Sequence, residues 1–330
     1  MINRRQFTRA MLGGASLLGF GAMRRAHGET LELAKILVGF SAGGMSDALA
    51  RRIGDKITGR YAHKIIVDNK TGAGGQLAVV ALKDSLADGA TLMLAPASLL
   101  TIYPYTYTKL PYRPAEDTTP VTVGAYFSTG FGVGPMVPES VKSVKDFLVW
   151  AKANPDKASY ASPGAGSMPH LIAALVEMAS HVPLTHVPYR GSAPGIQDLL
   201  GGQIASMSSP IGDYLPHLKS GRLRLLAISG EKRSALAPDI PTYAEQGFAE
   251  LTMREWFGFF LPGKAKRDIV QNAFSAIKTA LLEKEVAESL AKLGLEVAPS
   301  ASPEDFASQV KAEQELWGPY VKRIGFTADS

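Results

Sequence analysis

At 330 residues, 46% hydrophobic and 20% charged, the chain has ordinary globular composition and exceeds the usual size of a single core, so two lobes are expected. The formal charge of +5 invites a nucleic-acid reading, but five arginines fall in residues 1–28, which hold no acid, and the other 30 Lys and Arg balance 30 Asp and Glu. No basic face is left to hold nucleic acid, and zero cysteines exclude a thiol nucleophile, a cysteine-bound metal and a disulfide scaffold.

The first 28 residues join Asn3-Arg-Arg-Gln-Phe-Thr-Arg9 to the modestly apolar Ala10–Met23 and then to Arg24-Arg25-Ala26-His27-Gly28. This order reads as a twin-arginine export signal cleaved before Glu29, with a basic helical arm as the plainer alternative. The apolar run is about 14 residues, too short for a bilayer core of roughly 30 Å, so no permanent anchor is expected. The expected location is the periplasm.

From Ala34 apolar strands, glycine-marked turns and amphipathic helices alternate: strand 35–38, helix 47–57, strand 64–67, helix 76–86, strand 91–94. A second set follows with helix 147–153, strand 158–161, helix 167–179, strand 184–187, helix 193–200 and strand 223–228. That is the rhythm of two α/β lobes, each with a largely parallel sheet. The glycine-dotted run Val121–Val133 reads as one strand leaving one lobe for the other, and Trp256–Leu261 as the returning crossover. Lobe 1 is therefore expected at 29–125 plus 256–330, and lobe 2 at 126–255. The tail is helical from Arg267 to Leu290, and Ser302-Pro-Glu-Asp305 starts a last helix, to about Arg323, that packs on lobe 1 with Trp317 as a core residue.

Two glycine-rich loops run from a strand into a helix: Gly39-Phe-Ser-Ala-Gly-Gly-Met-Ser-Asp47 and Ser162-Pro-Gly-Ala-Gly-Ser-Met-Pro-His170. Helix starts leave N–H groups unpaired and carry about half a positive charge, and small residues let an anion approach the backbone. The first loop offers Phe40, Ser41, Ala42, Gly43 and Gly44. Asp47, in the first turn, either caps the helix or orients the loop amides. The second loop offers Ser162, Gly164, Ala165, Gly166 and Ser167. His170 there either donates to an anion or fixes the loop by bonding a carbonyl. Arg190 is a cation placed either to meet a distal anionic group or to form a surface ion pair. Ala97 and Ser98, just before Tyr103-Pro-Tyr-Thr-Tyr107, add a further edge, where the tyrosines serve as aromatic surface near the cleft or as packing.

These two loops, together with Asn69-Lys-Thr-Gly-Ala-Gly-Gly75, Leu110-Pro-Tyr112, Val187-Pro-Tyr-Arg-Gly-Ser-Ala-Pro194 and Pro238-Asp-Ile-Pro-Thr242, resemble the Bug-type periplasmic solute-binding receptors of tripartite tricarboxylate transporters. The likeness runs over nearly the whole chain after residue 30. It implies a two-lobed periplasmic-binding-protein fold of type II with the ligand cleft between the lobes. It also implies a carboxylate held by loop amides and two bridging waters, and delivery to inner-membrane transporter subunits by a monomer. A dicarboxylate, an amino acid or an aromatic acid is the expected ligand class. Gly39 and Tyr103 depart from the proline and asparagine usual at those places in the family.

Two other classes stay open: the same receptor serving a sensor histidine kinase, and a serine hydrolase. Gly39-Phe-Ser-Ala-Gly43 satisfies G-x-S-x-G, with Asp213 and His217 following in hydrolase order, but no earlier strand of the mature chain supplies the second oxyanion donor. Asn69–Gly75 lacks the ends of a phosphate-binding loop, and is either a third wall of the cleft or a tight turn. The histidines show no metal-ligand spacing, so neither metal nor cofactor is expected.

Overall fold

The computed structural model describes residues 30–328, so the export segment lies outside the described residues. The strands β1 (Leu31–Val38), β2 (Ala62–Asn69), β3 (Thr91–Pro96) and β4 (Thr118–Phe127) open a first sheet. The helix Met45–Ile57 follows β1 and the helix Gln76–Lys83 follows β2, and β1 pairs in parallel with both β2 and β3. A second sheet takes β5 (Thr129–Val133), β6 (Ser159–Ser162), β7 (Thr185–Pro188), β8 (Ser206–Pro210) and β9 (Arg224–Ile228). The chain then returns as β10 (Glu255–Pro262) and β11 (Glu296–Val297). The strand orders are β11-β4-β10-β3-β1-β2 and β7-β6-β8-β5-β9, the two-lobed α/β architecture that the alternating pattern implies.

The run 121–133 is two strands and not one. At Ser128 the chain leaves the first sheet for the second, and the Ser128 carbonyl accepts from the Ile211 amide, 2.9 Å away, outside either ladder. The central strand β8, Ser-Met-Ser-Ser-Pro, carries no sequence signal because it is mostly serine, yet every one of its residues is buried. Two of its three hydroxyls find partners locally: Ser206 donates to the Ser159 carbonyl at 2.8 Å, and Ser209 to Asp213 at 2.8 Å, while the buried Ser208 Oγ has none among the described residues. Burial of a polar strand is tolerable on those terms.

The final helix, Pro303–Ile324, begins as expected, with Ser302 Oγ accepting from the Asp305 amide at 3.1 Å. Phe306 and Val310 join the first-lobe core beside Trp256 and Phe260. The helix does not stay on that lobe. At 1.5 Å per residue its 22 residues reach roughly 33 Å, and Val321 and Phe326 enter the second-lobe core, with Trp317 half-buried against it.

Candidate functional site

A cavity opens where the C-terminal ends of β1, β3, β6 and β8 face each other between the sheets, the place where open α/β sheets receive ligands. Phe40, Pro96, Phe127, Pro163, Pro210 and Phe257 supply apolar walls, and Ser41, Ser46, Ser98, Ser167, Ser192 and Glu255 supply polar groups. No Lys, Arg or His lines it. The cavity is small, about 30 Å³, room for one or two waters.

Both helix starts reach this cavity. Gly44, Met45 and Ser46 border it from one side, and Ser167 and Pro169 from the other. Behind the first helix, burial pushes the Asp47 carboxyl up, but bonds from Arg51, the Gly43 amide (3.0 Å) and Asn69 (3.0 Å) outweigh it and hold the group below the usual carboxylate range. Asp47 thus orients the loop and does not line the cavity. Asn69 adds a bond to the Phe40 carbonyl at 2.9 Å, so the segment 69–75 buttresses the loop from outside the cavity wall.

The second loop is held from within. Ser162 donates to the Gly164 carbonyl at 3.0 Å, and Ser167 to the same carbonyl at 2.7 Å. With the Ser162 proton committed, His186 Nε2, 2.8 Å away, is the donor to Ser162 Oγ. His170 neither donates to a carbonyl nor faces the cavity: its Nδ1 accepts from the Gly166 amide at 2.9 Å. Burial, with His186 adding to it, pushes His170 down to about 3, and burial pushes His186 to about 4, so both rings are neutral at pH 7. They stack with centroids 3.6 Å apart, and Phe326 from the chain's last turn packs edge-on against His170 at 4.9 Å.

The lobes are already stitched together around the cavity. Ser41 N–H donates to the Arg190 carbonyl at 3.0 Å, and the Met45 amide, at the tip of its helix, donates to Asp213 Oδ1 at 3.1 Å. Tyr107 donates across to the Ala165 carbonyl at 2.8 Å, while Tyr103 ties down Gly74 within the first lobe, donating to its carbonyl at 2.7 Å. The tyrosine run therefore clamps the loops, and its rings do not line the cavity. Gly191, at φ +120°, is required by the same stitching, because a Cβ there would lie 2.4 Å from Ser41 Oγ.

Of the residues singled out in the sequence, Phe40, Ser41, Gly44, Ser98 and Ser167 come together at the cavity. Ala42, Gly43, Asp47, Ala97, Ser162, Gly164, Ala165, Gly166, His170 and Arg190 do not. Gly43 borders a separate groove with Ala193 and His217, and the exposed Arg190 offers the site its carbonyl and not its guanidinium. Ser41 Oγ, shut from solvent, has no hydrogen-bond partner, while Asp213 is engaged by Met45 and Ser209, so the serine–base contact of a hydrolase is not formed here. Ser46, whose hydroxyl the first loop also offers, lines the cavity too, whereas sequence reading missed Ser192 and above all Glu255. Its signal was a lone acid heading the otherwise apolar run Trp256–Pro262. Burial pushes Glu255 up to about 7, against bonds from Ser98, whose amide donates to Oε1 at 3.0 Å.

The sequence pattern of one family, described as the tripartite tricarboxylate transporter family receptor, matches residues 49–326. The protein BugT of Bordetella pertussis is 30% identical over 88% of this chain and 89% of its own. Among solved structures, Rpa4515 of R. palustris with adipate superposes with a TM-score of 0.83 at 29% identity, covering 89% of this chain and 98% of that one. MatC of Rhodopseudomonas palustris with bound malate gives 0.81 at 28% identity, covering 88% and 98%.

Proposed function

This chain belongs to the tripartite tricarboxylate transporter receptor family, and from that premise we propose that it captures a small carboxylate in the periplasm and presents it to the transporter's membrane subunits. The observation that carries the reading is the convergence of two helix starts, Gly44–Ser46 and Ser167–Pro169, on one interlobe cavity with no cation in its wall. Backbone amides and helix dipoles favour an anion there without a guanidinium. The adipate and malate carried by the two structural relatives agree with a carboxylate ligand.

On this reading the ligand's carboxylate meets the helix starts through amides, serine hydroxyls and bridging waters. Lobe 1 comprises 29–125 with 256–330 and lobe 2 comprises 126–255, bending about Ser128 and the residues just before Glu255. A ligand bonded to both lobes favours the closed form by its differential affinity. The Asp213–Met45 bond occupies the first helix tip in the closed form, so an incoming carboxylate competes with a carboxylate already there. A thermal-shift screen against mono-, di- and tricarboxylates and amino acids tests the proposal. A ligand at 100-fold its Kd adds about 2.7 kcal/mol, a plain rise in Tm. No shift with any of these classes would overturn it.

A further inference from the structure

Among the described residues Glu255 is the one ionisable side chain in the cavity wall. It heads β10, with its partner residue Phe127 on β4, at the floor of the cavity. It is 3% exposed, and the neighbouring acid, Glu313, whose charge also acts on it, accepts from Trp256 Nε1 at 2.8 Å and Gln309 at 2.9 Å. No lysine or arginine forms an ion pair with Glu255 among the described residues. A carboxylate offers about four acceptor positions. Within the protein its bonds come from Ser98, whose amide donates to Oε1. The Ser41 Oγ that lines the same cavity, shut from solvent, makes no hydrogen bond within the protein. An acid held in this way is a poor neighbour for a second anion and a good one for a cation.

We propose that Glu255 sets selectivity, and that the ligand carries an ammonium group as well as its carboxylate: a small amino acid with an apolar body, in preference to a di- or tricarboxylate. The proposal rests on the receptor reading above and deepens it. The carboxylate sits at the helix starts, the ammonium meets Glu255 and the hydroxyls of Ser41 or Ser98, and the proline and phenylalanine walls take the hydrocarbon. A dicarboxylate of similar length would set its second charge against Glu255 with no cation in the cavity wall to offset it.

The test is calorimetric titration of the purified protein with two pairs that differ only in the amino group, L-leucine against 4-methylpentanoate and L-phenylalanine against 3-phenylpropionate, and one pair that exchanges an ammonium end for a carboxylate, 4-aminobutyrate against succinate. The expected result is at least one amino compound bound tenfold or more tightly than its partner, and a Glu255→Gln variant in which that ratio collapses towards one. The glutamine keeps the size of the side chain and an oxygen for the Ser98 amide, and a change in folding alone would weaken both members of a pair equally. If the variant does not fold, the wild-type ratios still decide. Tighter binding of the deaminated or dicarboxylic partners would overturn the inference and leave the receptor reading standing. Binding of neither kind, nor of malate or adipate, would overturn both.

Discussion

Asp47→Ala tests whether the first loop is held in shape from behind. The carboxylate takes the Gly43 amide and Asn69 Nδ2, each at 3.0 Å, and pairs with Arg51 at 2.9 Å. Arg51 is 48% exposed on its side chain, so losing that pair alone costs little. The other two donors lose a charged acceptor, at roughly 1.5–3 kcal/mol each before water replaces part of it. The expected loss is about 2–4 kcal/mol of unfolding free energy at pH 7.5, measured by urea denaturation. Binding should weaken tenfold or more, because the Gly43 amide and Phe40 carbonyl lose their fixed orientation. The folded carboxyl titrates below its ordinary 3.8, so its contribution is complete above that value and disappears as pH falls through the folded value. The gap between wild type and variant should therefore hold from pH 8 to 5 and shrink below about 4. A gap under about 0.5 kcal/mol at pH 7.5, or one that widens on acidification, would refute the reasoning.

Gly166→Val puts a side chain at φ +75° with its Cβ 2.8 Å from the Tyr107 ring, and should cost about 1–3 kcal/mol and abolish ligand-induced stabilisation. A variant with wild-type thermal shifts would show that this loop does not shape the site. Tyr107→Phe removes the donor to the Ala165 carbonyl and should cost about 1 kcal/mol while shifting the population towards an open form, seen as a larger radius in X-ray scattering. An unchanged radius and Tm would count against the clamp. His170 titrates near 3 in the fold against 6.5 unfolded, so the unfolded chain binds more protons between those values and stability falls as pH drops. Between pH 6.5 and 5 the wild type should lose about 2 kcal/mol relative to His170→Gln. Parallel pH profiles would mean that the ring is protonated in the fold.

The lobes and the two glycine-rich loops were legible because glycines, helix starts and strand runs are local features. Residues that act at a distance were harder to place. Ser206–Pro210 hid a central strand, since burial on both faces erases alternation and Ser206 and Ser209 bond locally. Asp47 and His170 were seen as belonging to the loops, but whether each touches ligand or backbone depends on which donors fold against it. Glu255 comes from a strand more than 200 residues after the first loop, so only the returning β10 could bring it to the cavity. The crossing of the final helix to the second lobe likewise follows from tertiary packing at Val321 and Phe326, for which the sequence offers only apolar residues near its end.

The most direct measurement is a crystal structure of the protein with the tightest-binding carboxylate from the thermal-shift screen. The account predicts the ligand between Gly44–Ser46 and Ser167–Pro169, its carboxylate within reach of the first-loop amides or the Met168 amide directly or through one water, and its far end facing Glu255. A ligand bound in the groove beside Gly43 and His217, or to one lobe alone, would contradict it.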